Sequence, residues 1–289
     1  MEEYVYEWML RQASKASGQA QASREASREA DNAVWVYLPV FWTNLQNHPG
    51  FAVNRPKYQH LLNQCVRGYP AGVRFFTCVQ HDDGCGMVLP AGTRVYGACT
   101  GDIPLPLVYE DTTERLVKYP RRAYRDKDVI ASFVGTLGTH PVREALRRAL
   151  EGQAGVVFSS RGVWSASVGS SDAERFLEVT SRSRFCLAPR GYGRSSFRFF
   201  EAMWLDVLPV YVWDDVEWLP YQGEVPYHTF CVSVHVSELS GLYERLTSIG
   251  EAEYEERLEA MRRWRSWFGL EGMCRWVEES VAGAGPRGL

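Results

Sequence analysis

The densest chemistry in the chain lies in one stretch, Phe185-Cys-Leu-Ala-Pro189-Arg190-Gly191-Tyr-Gly-Arg194-Ser195-Ser196-Phe-Arg198-Phe-Phe-Glu201-Ala. Ser195 or Ser196 is placed to cap a helix whose Phe197, Phe200 and Trp204 form one apolar stripe. Arg190, Arg194 and Arg198 gather at the N-terminal, positive end of that helix, where each cation costs a few tenths to ~1 kcal/mol. The placement makes sense if an anion of at least two charges completes the site. Glu201 follows Arg198 by one helical turn, on the same face, and its two oxygens can accept from a vicinal diol. Arginine for diphosphate and carboxylate for ribose is the pattern a nucleotide-sugar site requires. The competing reading is a surface Arg198–Glu201 ion pair worth ~0.3–0.5 kcal/mol. On these residues alone both stand.

A second turn, Gly135-Thr136-Leu-Gly138-Thr139-His140-Pro141-Val-Arg143, has the same construction. Glycines follow a β-rich run, Thr139 or His140 can cap, and Pro141 suits a first helical turn. Open N–H groups at such a helix start form an anion site, and Arg143 adds a charged fork one turn in.

The elements that must position these turns read as alternating strands and helices. Strands are expected at Val129–Val134, Gly155–Ser159, Arg184–Ala188, Val207–Trp213 and Thr229–Val234. Helices are expected at Pro141–Leu150, Ala173–Thr180, Phe197–Leu205, around Ser237–Ile249 and over Glu253–Val281. An earlier alternation has strands at Ala33–Phe41, Val73–Val79 and Thr93–Tyr96, with a helix at Tyr58–Gly68. Residues 1–30 read as a helix and then a polar alanine-rich segment repeating Ala-Ser-Arg-Glu, and Ile103–Leu107 reads as a proline-rich loop. Alternation of this kind implies βαβ units and parallel sheet. The charged run Tyr119–Lys127 reads as the linker between two such blocks.

The 289 residues suggest two domains at roughly 150 each. Net charge is −3, so there is no basic footprint for nucleic acid. The longest apolar run, Val34–Trp42, falls far short of the about 20 residues of a membrane span. No signal peptide is read at the N-terminus, and a cytoplasmic protein is expected. Seven scattered cysteines without paired metal-ligand spacing read as reduced, buried thiols. The fingerprint G-x-G-x-x-G is absent, which disfavours NAD.

The block Phe185–Asp215 resembles the exostosin-like glycosyltransferases of family 47, whose pattern runs F-C-L-x-P-R-G, then S-x-R-x-x-E-A, then P-V and an acidic turn. Ser132–Gly135 with Val142–Leu146, Arg28–Thr43, Gln80–Gly84 and Ile103–Leu107 are looser echoes. The length is similar to small stand-alone members of algae and of the viruses that infect them. The resemblance implies an α/β protein of GT-B fold, two Rossmann-like domains facing a central cleft. Residues 1–125 would form the acceptor domain and 126–289 the nucleotide-sugar domain, with the last helix free to cross back. One departure is Asp206, where the family usually ends the helix with a small residue; Asp tolerates a left-handed conformation better than most.

The resemblance further implies inverting transfer of a sugar, xylose first, from a UDP-sugar to a hydroxyl of a glycan acceptor. The alternative is a catalytically inactive relative that still binds nucleotide or glycan. Donor binding would fall to Gly135, Thr136, Arg143, Pro189, Arg190, Gly191, Ser195, Ser196, Arg198 and Glu201. Arginines and helix N-termini could then stabilise the leaving diphosphate without a metal cofactor. Asp126-Lys-Asp128 matches the D-x-D of metal-dependent transferases only superficially and reads as a solvated turn. The catalytic base would come from His81, Asp82 or Asp83, directly after the Val73–Val79 strand, with no ground for choosing among them.

Overall fold

The computed structural model describes residues 1–19, 34–162 and 169–283. The Ala-Ser-Arg-Glu repeat lies outside them. The chain divides into two compact units, one of Met1–Leu105 with Leu270–Leu289 and one of Pro106–Gly269.

The first unit holds α1 (Glu2–Gln19), β1 (Trp35–Tyr37), α2 (Trp42–Asn47), α3 (Phe51–Arg67), β2 (Arg74–Val79), β3 (Arg94–Gly97) and β4 (Ile103–Pro104). The four strands make a parallel sheet in sequence order. The expected strand at Ala33–Phe41 is cut to three paired residues. Leu38 N–H still donates to the Phe76 carbonyl, but Pro39 has no N–H to continue the ladder. Trp42 then turns into the core, donating to Thr77 Oγ1 at 2.8 Å, and Thr77 donates to the Leu38 carbonyl. The helix expected from Tyr58 begins earlier, at Phe51, with Pro56 inside it. Pro56 lacks one N–H donor near the helix start, a local loss that the rest of α3 tolerates. Part of the predicted proline-rich loop, Ile103–Pro104, pairs with β3 as a strand.

The second unit holds α4 (Arg115–Lys118), β5 (Val129–Thr136), α5 (Pro141–Leu150), β6 (Val156–Arg161), α6 (Ser170–Ser181), β7 (Ser183–Pro189), α7 (Phe197–Trp204), β8 (Leu208–Trp213), β9 (Val232–His235), α8 (Leu242–Ser248) and α9 (Glu251–Trp264). Its five strands are all parallel, in the order β6-β5-β7-β8-β9. The chain winds outward from β5 through α5 to β6, and in the opposite direction from β7 through α7 to β8. Right-handed crossovers therefore place α5 and α7 on opposite faces, and the winding reverses between β5 and β7. Sheets of this type bind ligands outside the strand C-termini at that reversal. Both glycine turns picked out in the sequence follow the two strands concerned.

Tyr119–Lys127 is not a linker. The compact second unit starts at Pro106, some twenty residues before the expected boundary. Leu116 is buried with Leu177, Cys186, Ala202, Leu205 and Val207, and Tyr119 packs against them. Lys127 is only 2% exposed, and its Nζ donates to the Ser181 and Ser183 carbonyls, both at 3.1 Å. A charged run looks solvated in sequence, yet lysine and arginine stems can be buried along apolar surface. The long C-terminal helix expected over Glu253–Val281 is broken by a tight turn at Arg265–Phe268 into α9 and α10 (Leu270–Val281). Helix α10 belongs to the first unit, where Trp8 donates to Glu278 and Tyr96 packs edge-on against Trp276.

Asp206 adopts φ 54°, the left-handed conformation that its side chain tolerates. Its buried carboxylate also accepts from Arg262 at 2.8 Å and Arg265 at 2.9 Å. No helix among the described residues is long and apolar enough to cross a membrane.

Candidate functional site

After β5, His140 caps α5 through its ring, Nδ1 accepting from the Val142 N–H, and Pro141 opens the helix. Arg143 is buried and spends its donors on main chain. Its Nε donates to the Arg190 carbonyl at 2.9 Å and its Nη1 to the Thr136 carbonyl at 2.7 Å. It therefore braces the turn after β5 against the turn after β7. Gly191 is required by this brace, because a Cβ there would stand 2.7 Å from Arg143 Nη2. The hydroxyls of Thr136, Thr139 and Ser196 are buried and have no hydrogen-bond partner among the described residues. Each such group left unmet costs about 1–3 kcal/mol.

After β7, Ser196 occupies the cap position of α7, but its side chain makes no capping bond. Ser195 beside it is buried. The three arginines do not converge on one vacancy. Arg190 Nη1 donates to Asp214 and Asp215, each at 2.8 Å, and Arg194 Nε donates to Asp215 at 2.8 Å. The anion that neutralises two of the three is the protein's own, supplied from the end of β8. Burial raises the Asp215 carboxyl, but hydrogen bonds from Arg194 and the Val216 N–H and the charge of Arg190 outweigh it and hold it at about 2.

Arg198 is held differently. Its Nε donates to the Val134 carbonyl, and its guanidinium lies 5.1 Å from the Phe133 ring centroid. Gly135 makes room for it, since a Cβ at 135 would overlap the guanidinium. The surface ion pair weighed for Arg198 and Glu201 is not formed. Glu201 Oε1 instead accepts from the Tyr109 hydroxyl at 2.8 Å, and the same hydroxyl oxygen accepts from Arg115 Nη2 at 2.7 Å. Arg198, Glu201, Gly135, Arg115 and Asp172 line one pocket at the ends of β5 and β6. Burial pushes the half-buried Glu201 carboxyl up, against the lowering influence of Arg198, Tyr109 and Arg115.

Tyr109, Arg115 and Asp172 escaped the sequence reading. Nothing in the spacing ties residue 109 to residue 201. The candidate base residues sit in the first unit, in the turn after β2. His81 Nδ1 accepts from the Asp83 N–H at 3.1 Å, and the His81 carbonyl accepts from the Gly84 N–H. Asp82 and Asp83 are exposed. Asp128 of the D-x-D segment is engaged by Arg182, whose bonds hold its carboxyl at about 2.

The family model for the exostosin GT47 domain matches residues 19–249. The chain belongs to the exostosin GT47 family. Two probable glycosyltransferases of Arabidopsis thaliana are similar to this GT47 chain, one 36% identical over 95 residues and one 30% identical over 92. Those segments cover 33% and 32% of the chain but only 20% and 19% of the relatives, so the chain spans about a fifth of either one's length. Among solved structures, an α1,3-fucosyltransferase with GDP aligns at TM-score 0.40 and 11% identity over 91% of this chain and 95% of its own. TarM aligns at TM-score 0.42 and 7% identity over 73% and 50%. The fold rests on the two parallel-sheet units themselves. They are the composition of the GT-B class.

Proposed function

We propose that this GT47 chain is an inverting glycosyltransferase that moves a sugar from a UDP-sugar donor to a glycan hydroxyl. The observation that carries the reading is Arg198 beside Glu201 in one pocket at the ends of β5 and β6, next to the strand pair where the winding of the second unit reverses. The Arg198 guanidinium donates through Nε to the neutral Val134 carbonyl, and we assign it to the diphosphate. Glu201 would accept from the ribose diol. The buried hydroxyls of Thr136, Thr139 and Ser196 give the same region hydrogen-bonding capacity that a phosphorylated ligand could use. Gly135 and Gly191 hold the two turns close enough for the arginines to sit where they do.

In the reaction, the acceptor oxygen attacks the anomeric carbon and forms the new C–O bond as the bond to the diphosphate oxygen breaks on the opposite face. The acceptor proton passes to a base, which we assign to the His81-Asp82-Asp83 turn of the first unit. The electron pair leaves with UDP, whose developing charge meets Arg198 and the N-termini of α5 and α7. Arg143, tied to two carbonyls, serves as the brace that aligns those helix starts. Arg190 and Arg194, neutralised by Asp214 and Asp215, supply little net charge, which favours an uncharged donor sugar. Xylose is the first choice, following the small algal-type members that build pentose-containing glycans. The buried thiols support a reducing, cytoplasmic setting.

Calorimetric titration with UDP tests the donor site, and absence of binding at millimolar UDP would overturn it. A UDP-sugar panel then reads donor hydrolysis and, with acceptor, transfer. Binding without UDP release would leave a nucleotide-binding protein that is not an enzyme. Turnover should persist in EDTA; loss on chelation with recovery in manganese would reject the metal-free scheme.

A further inference from the structure

We infer that Tyr109, locked by Arg115, is a positioning residue that holds Glu201 in the one orientation able to receive a vicinal diol. The inference rests on the donor-site reading above. Its physical basis is the direction of a single proton. Arg115 can only donate, and its Nη2 lies 2.7 Å from the Tyr109 oxygen. That oxygen is thereby an acceptor, and its own hydrogen is turned to the remaining partner, Glu201 Oε1 at 2.8 Å. The Tyr109 ring is itself fixed, packed 5.7 Å from Phe197 on the first turn of α7. Glu201 Oε1 is therefore engaged, and Oε2 accepts no hydrogen bond among the described residues. A carboxylate clamped through one oxygen has lost the torsional freedom that binding would otherwise have to remove.

The lock also sets the charge of Glu201. Burial raises its carboxyl, and three groups oppose that: Arg198 on its own helix, Tyr109 from the segment before α4, and Arg115 on α4. Asp111, on that same segment, raises it. Asp172 and Arg175, from α6, line the same pocket. Removing the Tyr109 hydroxyl deletes a bond made to the ionised form, so the carboxylate protonates at higher pH.

The test compares UDP with 2′,3′-dideoxy-UDP, by calorimetry across pH 5–8, on the full chain and on Tyr109→Phe. The phenylalanine keeps the ring on Phe197 and loses only the hydroxyl; an unchanged melting temperature checks the fold, and Arg115→Met, which frees the Tyr109 oxygen, serves as a second variant. UDP binding should weaken about tenfold in Tyr109→Phe, the worth of one bond to a charged acceptor. Dideoxy-UDP should bind both proteins alike, and the acid-side fall in UDP affinity should move to higher pH in the variant. In a Glu201→Gln background the Tyr109→Phe effect should largely vanish. Equal losses for UDP and dideoxy-UDP, or an unmoved pH profile, would overturn the positioning role while leaving the donor site intact. Failure of the unaltered protein to bind UDP would overturn both.

Discussion

Two sets of cations in the second unit are held by different kinds of oxygen. Arg190 and Arg194 bond to the carboxylates of Asp214 and Asp215. Arg143, Arg198 and Lys127 give their described hydrogen bonds to main-chain carbonyls. A carboxylate cancels the charge it binds, whereas a carbonyl dipole orients a cation and leaves its full charge in place. On the proposed donor site, Arg198 meets the diphosphate and Arg143 braces the turns after β5 and β7, Lys127 lies at the opposite ends of those strands, and the carboxylate-held set shapes the bordering loop. A cluster of basic residues in a sequence is thus a weaker indicator of an anion site than the oxygens that greet each one.

The largest expected effect concerns Lys127, the most enclosed of the carbonyl-held cations. Burial lowers its ammonium from 10.5 to about 8. The unfolded chain then binds more protons than the folded one between those values, so this group's contribution to stability rises with pH through that window. Denaturant titrations should show the gap between the native protein and Lys127→Met shifting by about 3 kcal/mol from pH 7 to pH 11. A pH-independent gap would mean that carbonyls alone compensate the buried charge.

Next in size, Arg198→Ala should weaken UDP by one to two orders of magnitude, or about 1.5–3 kcal/mol, with little change in melting temperature. Gly135→Ala should do nearly the same by displacing the guanidinium rather than deleting it. Calorimetry showing intact affinity in both would shift the anion site away from the carbonyl-held set.

Arg190→Ala should give the converse result. Asp214 and Asp215 would lose their shared partner, at about 1–2 kcal/mol of stability after allowing for their partial exposure. UDP affinity per folded molecule should fall less than in Arg198→Ala. A larger affinity loss than in Arg198→Ala would erase the distinction between the two sets.

The smallest effect is acid sensitivity. Asp215, held at about 2, stabilises the fold above its unfolded value of 3.8 and loses that contribution as pH falls toward 2. Asp215→Asn should flatten this part of a pH–melting curve without altering the curve near neutrality in shape.

Much of this was legible in the sequence, for identifiable reasons. The second-unit strands were readable because Val129–Val134, Arg184–Ala188 and Val207–Trp213 are buried apolar runs ended by glycine, proline or charge. The two glycine turns followed from them. What stayed hidden were partners fixed only by strand order. Arg190 meets Asp214 across 24 residues because β8 lies beside β7, and Glu201 meets Tyr109 across 92. The expected linker failed for a related reason: the Tyr119 ring packs partly buried on the core and the Lys127 stem is buried, and a count of charges registers neither.

The return of α10 to the first unit carries a consequence for the order in which the protein is made. The second unit is one unbroken segment, Pro106–Gly269, and can close as soon as it has left the ribosome. The first unit is interrupted, and its core includes Met273, Cys274 and Val277 beside Val5 and Tyr96. Its strands emerge first and must wait for more than half the chain to be translated before their final layer arrives. Through that interval the surface around Tyr96 that α10 covers stands open, the kind of surface on which chaperones act. The half of the molecule synthesised first is the half finished last.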